Sequence, residues 1–240
     1  MYYPYYYGFD WTYLVLVLPC MLLSLWASSN VNSTFKKYSK QFSSRRLTGA
    51  EAAQRVLSAN GVRGVRIDRV SGNLTDHFDP KTNVIRLSDS VYSSTSTAAI
   101  GVACHEAGHA VQYAENYGPI KIRAAIIPIT NFGSKIAMPL ILLGILCTFL
   151  GSFSDTLVYM GIAAFGMSFV FQIVTLPVEF NASRRAIQAI ESANILTEEE
   201  QRGARKTLTA AAMTYVAATA VALAQLLRLI MIFGGRRRND

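Results

Sequence analysis

Between Ile136 and Val178 the chain carries one formal charge, Asp155, and no other feature constrains the fold as much. The run is long enough for two helical spans of about 20 residues, the length that crosses a bilayer core. Inside a bilayer every backbone N–H and C=O must find its partner within the segment. The run therefore reads as a helical hairpin turning around Gly151 to Asp155. A first span is expected from about Trp11 to Trp26, with a tryptophan at each end. The tyrosine-rich start (Tyr2, Tyr3, Tyr5, Tyr6, Tyr7) suits the same interfacial belt. With no basic segment ahead of it and no small-residue cleavage signature behind, this span reads as a retained anchor. A fourth apolar segment covers roughly 208–233. It contains Gln225 and Arg228, and reads as a shorter or tilted span with Arg228 snorkelling toward an interface.

Basic residues give the orientation. Lys36, Lys37, Lys40, Arg45 and Arg46 follow the first span with no acid before Glu51, and the hairpin turn carries no Lys or Arg. Positive charge favours the cytoplasmic side, so a multi-pass protein of the cell membrane is expected, its polar segments inside. One feature disagrees: a complete fourth crossing would leave Arg236, Arg237 and Arg238 outside. The net charge of +8 sits in the polar segments. It suits anionic lipid head groups better than nucleic acid, for which no aromatic–basic interleaving or motif is present. The three cysteines offer no disulfide framework.

The chemistry is concentrated in His105-Glu106-Ala107-Gly108-His109, which holds two of only three histidines. Thr95-Ser96-Thr97 offers helix caps, small and apolar residues follow, and Gly118 with Pro119 suggests the stop. On a helix, residues four apart share a face, so both imidazoles can reach one metal ion. Zinc with three protein ligands and an open position brings the pKa of its water to about 7, and Glu106 stands close enough to take the proton. Cys104 points elsewhere and reads as a small core residue.

Between anchor and motif lies a small α+β region. Thr48-Gly49-Ala50-Glu51 is a capping box opening a helix that stops at Asn60-Gly61. Val65 to Asp68 and Val84 to Leu87 read as strands around the turn-rich stretch from Asn73 to Pro80. The expected organisation is an anchor over 1–28, a cytoplasmic α+β region over 29–135 and a transmembrane hairpin over 136–178. A cytoplasmic segment over 179–207 and a hydrophobic helix with basic tail over 208–240 complete it. The fold class is mainly α, integral to the membrane, with a small α+β zinc-protease domain.

A catalytic zinc needs a third protein ligand. Glu115 lies about 80° off the face of His105 and cannot return to the ion. Glu191 and Glu198 to Glu200 read as a solvated helix surface with its own capping box at Thr197 and Glu200. Glu179 ends an apolar span, where a carboxylate is costly without a partner, and a metal is a good partner. The competing reading pairs Glu179 with Arg184 or Arg185. Asp76, His77 and Asp79 stand next in line.

Most of the chain resembles the YugP-type membrane zinc metallopeptidases, and distantly the HtpX and CAAX-protease group of gluzincins. The likeness runs through the first span, Leu47-Thr48-Gly49, Leu74 to Pro80, the metal helix and Pro177 to Ala186. It implies one zinc per chain, held by His105, His109 and Glu179, with Glu106 as base and proton shuttle. Two positions depart from the pattern. Ser183 stands where the HtpX group has an aspartate, and Asn181 where YugP-type members often have one. In gluzincins a histidine or tyrosine on an edge element often stabilises the oxyanion, and His77 fits that position. Alternatively, Asp76 and Asp79 simply hold a turn. The implied function is a zinc metalloendopeptidase acting on membrane-associated or misfolded proteins. A zinc-binding scaffold or adaptor that has lost catalysis is the alternative, and intact Glu106 speaks against it. Site-2-type intramembrane proteolysis is disfavoured because residues 93–118 are too polar for a span.

Overall fold

The computed structural model describes residues 10–234; the expected tyrosine belt at 2–7 and the basic tail at 236–238 lie outside them. By chain contacts the molecule divides into two units. One comprises residues up to Trp26, Pro128–Gln172 and Ala217 onward; the other comprises Ala27–Ile127 and Ile173–Val216.

Among the described residues, four helices are long and apolar enough to cross a membrane. The first opens with a π-helical stretch, Tyr13–Val17, and continues as α1, Leu18–Tyr38. It therefore runs well beyond Trp26 and carries Lys36 and Lys37 in its last turn. The others are α5 (Gly118–Leu146), α6 (Ser152–Ser192) and α7 (Glu198–Phe233). The hairpin turn falls slightly before its expected place. A short 3-10 turn, Thr148–Leu150, leads to Gly151 at φ 59, and Asp155 already sits in the first turn of α6.

Within the first unit, α5 and α6 approach closely at glycines. A Cβ on Gly144 would meet the Ser154 carbonyl oxygen at 2.8 Å, and one on Gly161 would meet that of Ala137 at 2.8 Å. Small residues at such crossings let apolar helices pack by shape where no water drives them together. Ile141, Val158, Ile162 and Leu229 form the local core. Arg228 lies in α7. Its guanidinium holds the Asp10 carboxylate with Nη2 at 2.5 Å and Nε at 3.0 Å, over the ring of Tyr13. Pairing offsets the charge, and both side chains stay partly exposed.

The second unit holds the small α+β part. Thr48 and Glu51 close a reciprocal capping box on α2 (Gly49–Ala59), which ends at Asn60 with Gly61 at φ 66. Three strands follow: β1 (Arg66–Val70), β2 (His77–Asp79) and β3 (Val84–Ser88). They lie in the order β1-β3-β2, with β1 parallel and β2 antiparallel to β3. Thus β2 is an edge strand in a stretch that reads only as turns, because three residues flanked by Asp, Pro and Gly carry no period. A short helix, α3 (Asp89–Tyr92), leads to α4, Thr97–Ala114. The Ser96 hydroxyl caps α4 by accepting from the Ala99 N–H. The helix stops before Gly118. Asn116 takes the left-handed conformation at φ 56 that ends many helices, leaving Gly118 and Pro119 to open α5. Ile85, Leu87, Ile100, Ile190 and Ile195 lie in the core, with Cys104 wholly buried among them. Glu200 corrects the solvated-surface expectation. It caps α7 through Thr197 but is buried and also accepts the backbone N–H of Ser44 at 2.7 Å.

Candidate metal centre

Helix α4 presents His105 and His109 one turn apart, their rings edge to face with centroids 4.7 Å apart. Gly108 lies on the side facing α6, where a Cβ would meet the Ala182 carbonyl oxygen at 2.7 Å. That contact brings the α6 backbone close enough for Glu179 to complete the site. Glu179 Oε2 stands 3.2 Å from His105 Nε2 and 3.5 Å from His109 Nε2. A tetrahedral zinc with bonds of about 2.0–2.1 Å requires its ligand atoms to be about 3.3 Å apart. Two imidazole nitrogens and a carboxylate oxygen at these spacings suit that ion by geometry and by donor chemistry. They form a possible metal-ligand cluster among the described residues.

The remaining atoms of the three side chains are held from outside. Gln112, wholly buried, accepts from His109 Nδ1 at 3.0 Å and donates to the Val178 carbonyl oxygen and Asn181 Oδ1. Arg185 Nε donates to the same Asn181 oxygen at 2.7 Å. Ser183 Oγ lies 3.1 Å from His105 Nδ1. Of the two departures from the family pattern, Ser183 therefore lies on the outer nitrogen of His105, while Asn181 touches neither histidine and holds Gln112, the neutral group on the outer nitrogen of His109. The other oxygen of Glu179 is taken by Arg123 of α5 at 2.9 Å. Neither Arg184 nor Arg185 takes it; Arg185 pairs instead with Glu115, 2.7 Å away. Arg123 has no motif spacing to the histidines and is not found by reading the sequence, whereas Gln112 lies three residues after His109 on α4, a helical spacing that could have pointed to it. Burial opposes a charge on His109, yet the Glu179 contact and the nearby carboxylates outweigh it and hold the imidazole above its ordinary pKa.

Glu106 is buried beside the ligand cluster without belonging to it. It faces a cavity of about 240 Å³ shared with His105, His109, Glu179, His77, Arg123 and Tyr215. His77 lies on β2, its Nδ1 donating to the Thr75 carbonyl oxygen at 2.9 Å. The turn reading holds for Asp79: the Thr82 hydroxyl, the Arg86 guanidinium and the Lys81 N–H all donate to its carboxylate and draw its pKa down to about 2. Asp76 instead bridges to β3, accepting the Ser88 N–H and hydroxyl. Burial lifts its carboxyl above the ordinary value against those two donors, and the charge of Glu106 adds to the rise.

Comparison with known proteins agrees with this chemistry. No solved structure matches the chain. A protein of Bacillus subtilis described as "Putative membrane protease YugP" is 47% identical over 228 residues, covering 95% of this chain and 99% of its own length. The family profile "Putative neutral zinc metallopeptidase" matches residues 13–234. With a match over nearly its whole length, the chain belongs to this neutral zinc metallopeptidase family.

Proposed function

We propose that the protein is a membrane-embedded zinc metalloendopeptidase. His105, His109 and Glu179 hold one zinc per chain, in the gluzincin manner. The observation that carries this reading is the convergence of those three ligand atoms beside a buried carboxylate, Glu106, that is not one of them. When bound, zinc acidifies water and polarises a carbonyl. Glu106 accepts the proton of the attacking water and delivers it to the amine nitrogen as the C–N bond breaks. Arg123 and Gln112 keep the ligands oriented. His77, its ring fixed by the Nδ1 bond to the Thr75 carbonyl, stabilises the developing oxyanion through Nε2. The free edge of β2 holds the substrate extended by main-chain hydrogen bonds. Substrates are juxtamembrane or unfolded stretches of membrane proteins, cut on the cytoplasmic face of the cell membrane.

A pair of variants separates this enzyme from a zinc scaffold. Glu106→Gln keeps the side-chain size and should leave zinc near one per chain while peptide hydrolysis falls about 10²–10⁴-fold. Glu179→Gln should instead lose zinc and regain part of its activity when zinc is added. Unchanged hydrolysis in Glu106→Gln would sink the peptidase reading.

A further inference from the structure

A second cavity, also about 240 Å³, opens onto the same Glu106 and Glu179 but has different walls. Val31 and Phe35 of α1, Leu74, Val102 of α4, and Leu208 and Ala211 of α7 line it. These six are apolar; Ser183, Thr207 and Thr214 also line it, and the two threonine hydroxyls already donate within α7, to the Gly203 and Ala211 carbonyl oxygens. The two cavities share Asp76, His105, Glu106, Glu179 and Tyr215, so a peptide lying across the site meets both. The volume has room for roughly eight waters at about 30 Å³ each, and walls of this kind give them few partners. Replacing such water with an apolar group is favourable.

Leu74 adds a separate observation. Its φ is 55, a left-handed conformation that a bulky residue rarely adopts. Its neighbours hold it there. The Gly72 N–H donates to Asp89, the Thr75 hydroxyl to the Ser71 carbonyl, and Asp76 is fixed by Ser88. Strain kept beside a reactive site is retained where the surroundings over-determine it. Here it sets a leucine on the wall of the cavity, two residues before Asp76.

We infer that the second cavity is the side-chain pocket that sets specificity, taking a large apolar residue such as Phe, Leu or Met directly beside the scissile bond. This rests on the peptidase reading for the bond that is cut, but not for binding. The protein then selects apolar stretches, as exposed by unfolded or membrane-derived segments, and not a charged consensus.

The test uses full-length, zinc-loaded Glu106→Gln protein in detergent and two fluorescent peptides differing only by Phe or Ala at one central position. Anisotropy should show the Phe peptide bound about tenfold tighter or more, since even one methylene in an apolar pocket contributes about tenfold. Adding Ala211→Phe, which fills the pocket, should bring the ratio near one. Leu74→Gly relieves the backbone and opens the wall, so it should lower the ratio in a protein that keeps its helical circular dichroism even if Ala211→Phe misfolds. With the wild type, a peptide library should show apolar residues enriched at one of the two positions flanking the cut. A Phe/Ala ratio near one, as a resident lipid chain would produce, overturns the pocket, and so does a ratio that neither variant changes. Selective binding without any cleavage by the wild type would uphold the pocket and sink the peptidase reading instead.

Discussion

Gln112→Leu should weaken zinc binding without unfolding the protein. Gln112 is wholly buried and its oxygen is the acceptor for His109 Nδ1, at 3.0 Å. Leucine is close in size and fills the space, but strands that N–H in a site where His109 itself is only 9% exposed. An unmet buried donor costs about 1–3 kcal/mol. Loss of a group that orients a metal ligand typically costs about 10–100-fold in affinity, or about 1.4–2.7 kcal/mol, so the two estimates agree. The other two bonds matter less to the fold. Asn181 Oδ1 keeps Arg185, and Val178 lies within the helix α6. Competition against a chromophoric chelator in detergent, at fixed pH, reads the loss directly. Gln112→Glu retains an acceptor for His109 and should hold zinc better than Gln112→Leu. A Gln112→Leu protein binding zinc within twofold of wild type would refute the orienting role.

Three further outcomes are expected. His77→Ala should lower kcat by about 10²–10³-fold with zinc content intact, as loss of one oxyanion donor does; an unchanged kcat would remove His77 from the mechanism. Gly108→Ala places a methyl against the Ala182 carbonyl, an atom that cannot rotate away. It should cost about 1–3 kcal/mol of stability in a thermal melt and reduce zinc content, whereas a wild-type melt would show that α4 and α6 separate freely. For orientation, single cysteines at Lys40 and Ser152, both exposed, are introduced into a cysteine-free background. An impermeant maleimide on intact cells should modify only Ser152→Cys, and labelling of Lys40→Cys would reverse the proposed sidedness.

What could be read in the sequence was local or steeply costed. The capping box at Thr48 and Glu51, the four-residue histidine spacing and the apolar run with its single charge all impose short-range demands that the chain meets. Glu179 was singled out because a carboxylate ending an apolar run needs a partner, and the structure sets it against both histidines. The groups around it were not legible. Arg123 reaches the site through tertiary geometry, and nothing in its spacing announces it; Gln112 is a helical neighbour of His109, but only the fold shows that it also ties down Val178 and Asn181. Charge alone misled at Glu200 and did not show the partner of Arg228. The first is buried on the Ser44 backbone, and the second is neutralised by Asp10, 218 residues away. At Glu200 a long-range partner replaces solvent.

His105 and Glu179 are 74 residues apart, and the chain between them runs through the whole hairpin of α5 and the first part of α6. A metal gripped by both therefore acts as a removable cross-link, like a disulfide that a chelator can cut. Closing a long loop restricts the open states of a chain far more than the closed one. Metal loading and the register of α4 against α6 are then one equilibrium seen from two ends. Protein that has inserted but not yet acquired zinc should be the form with α4 least firmly seated, and the form most open to capture by another protease.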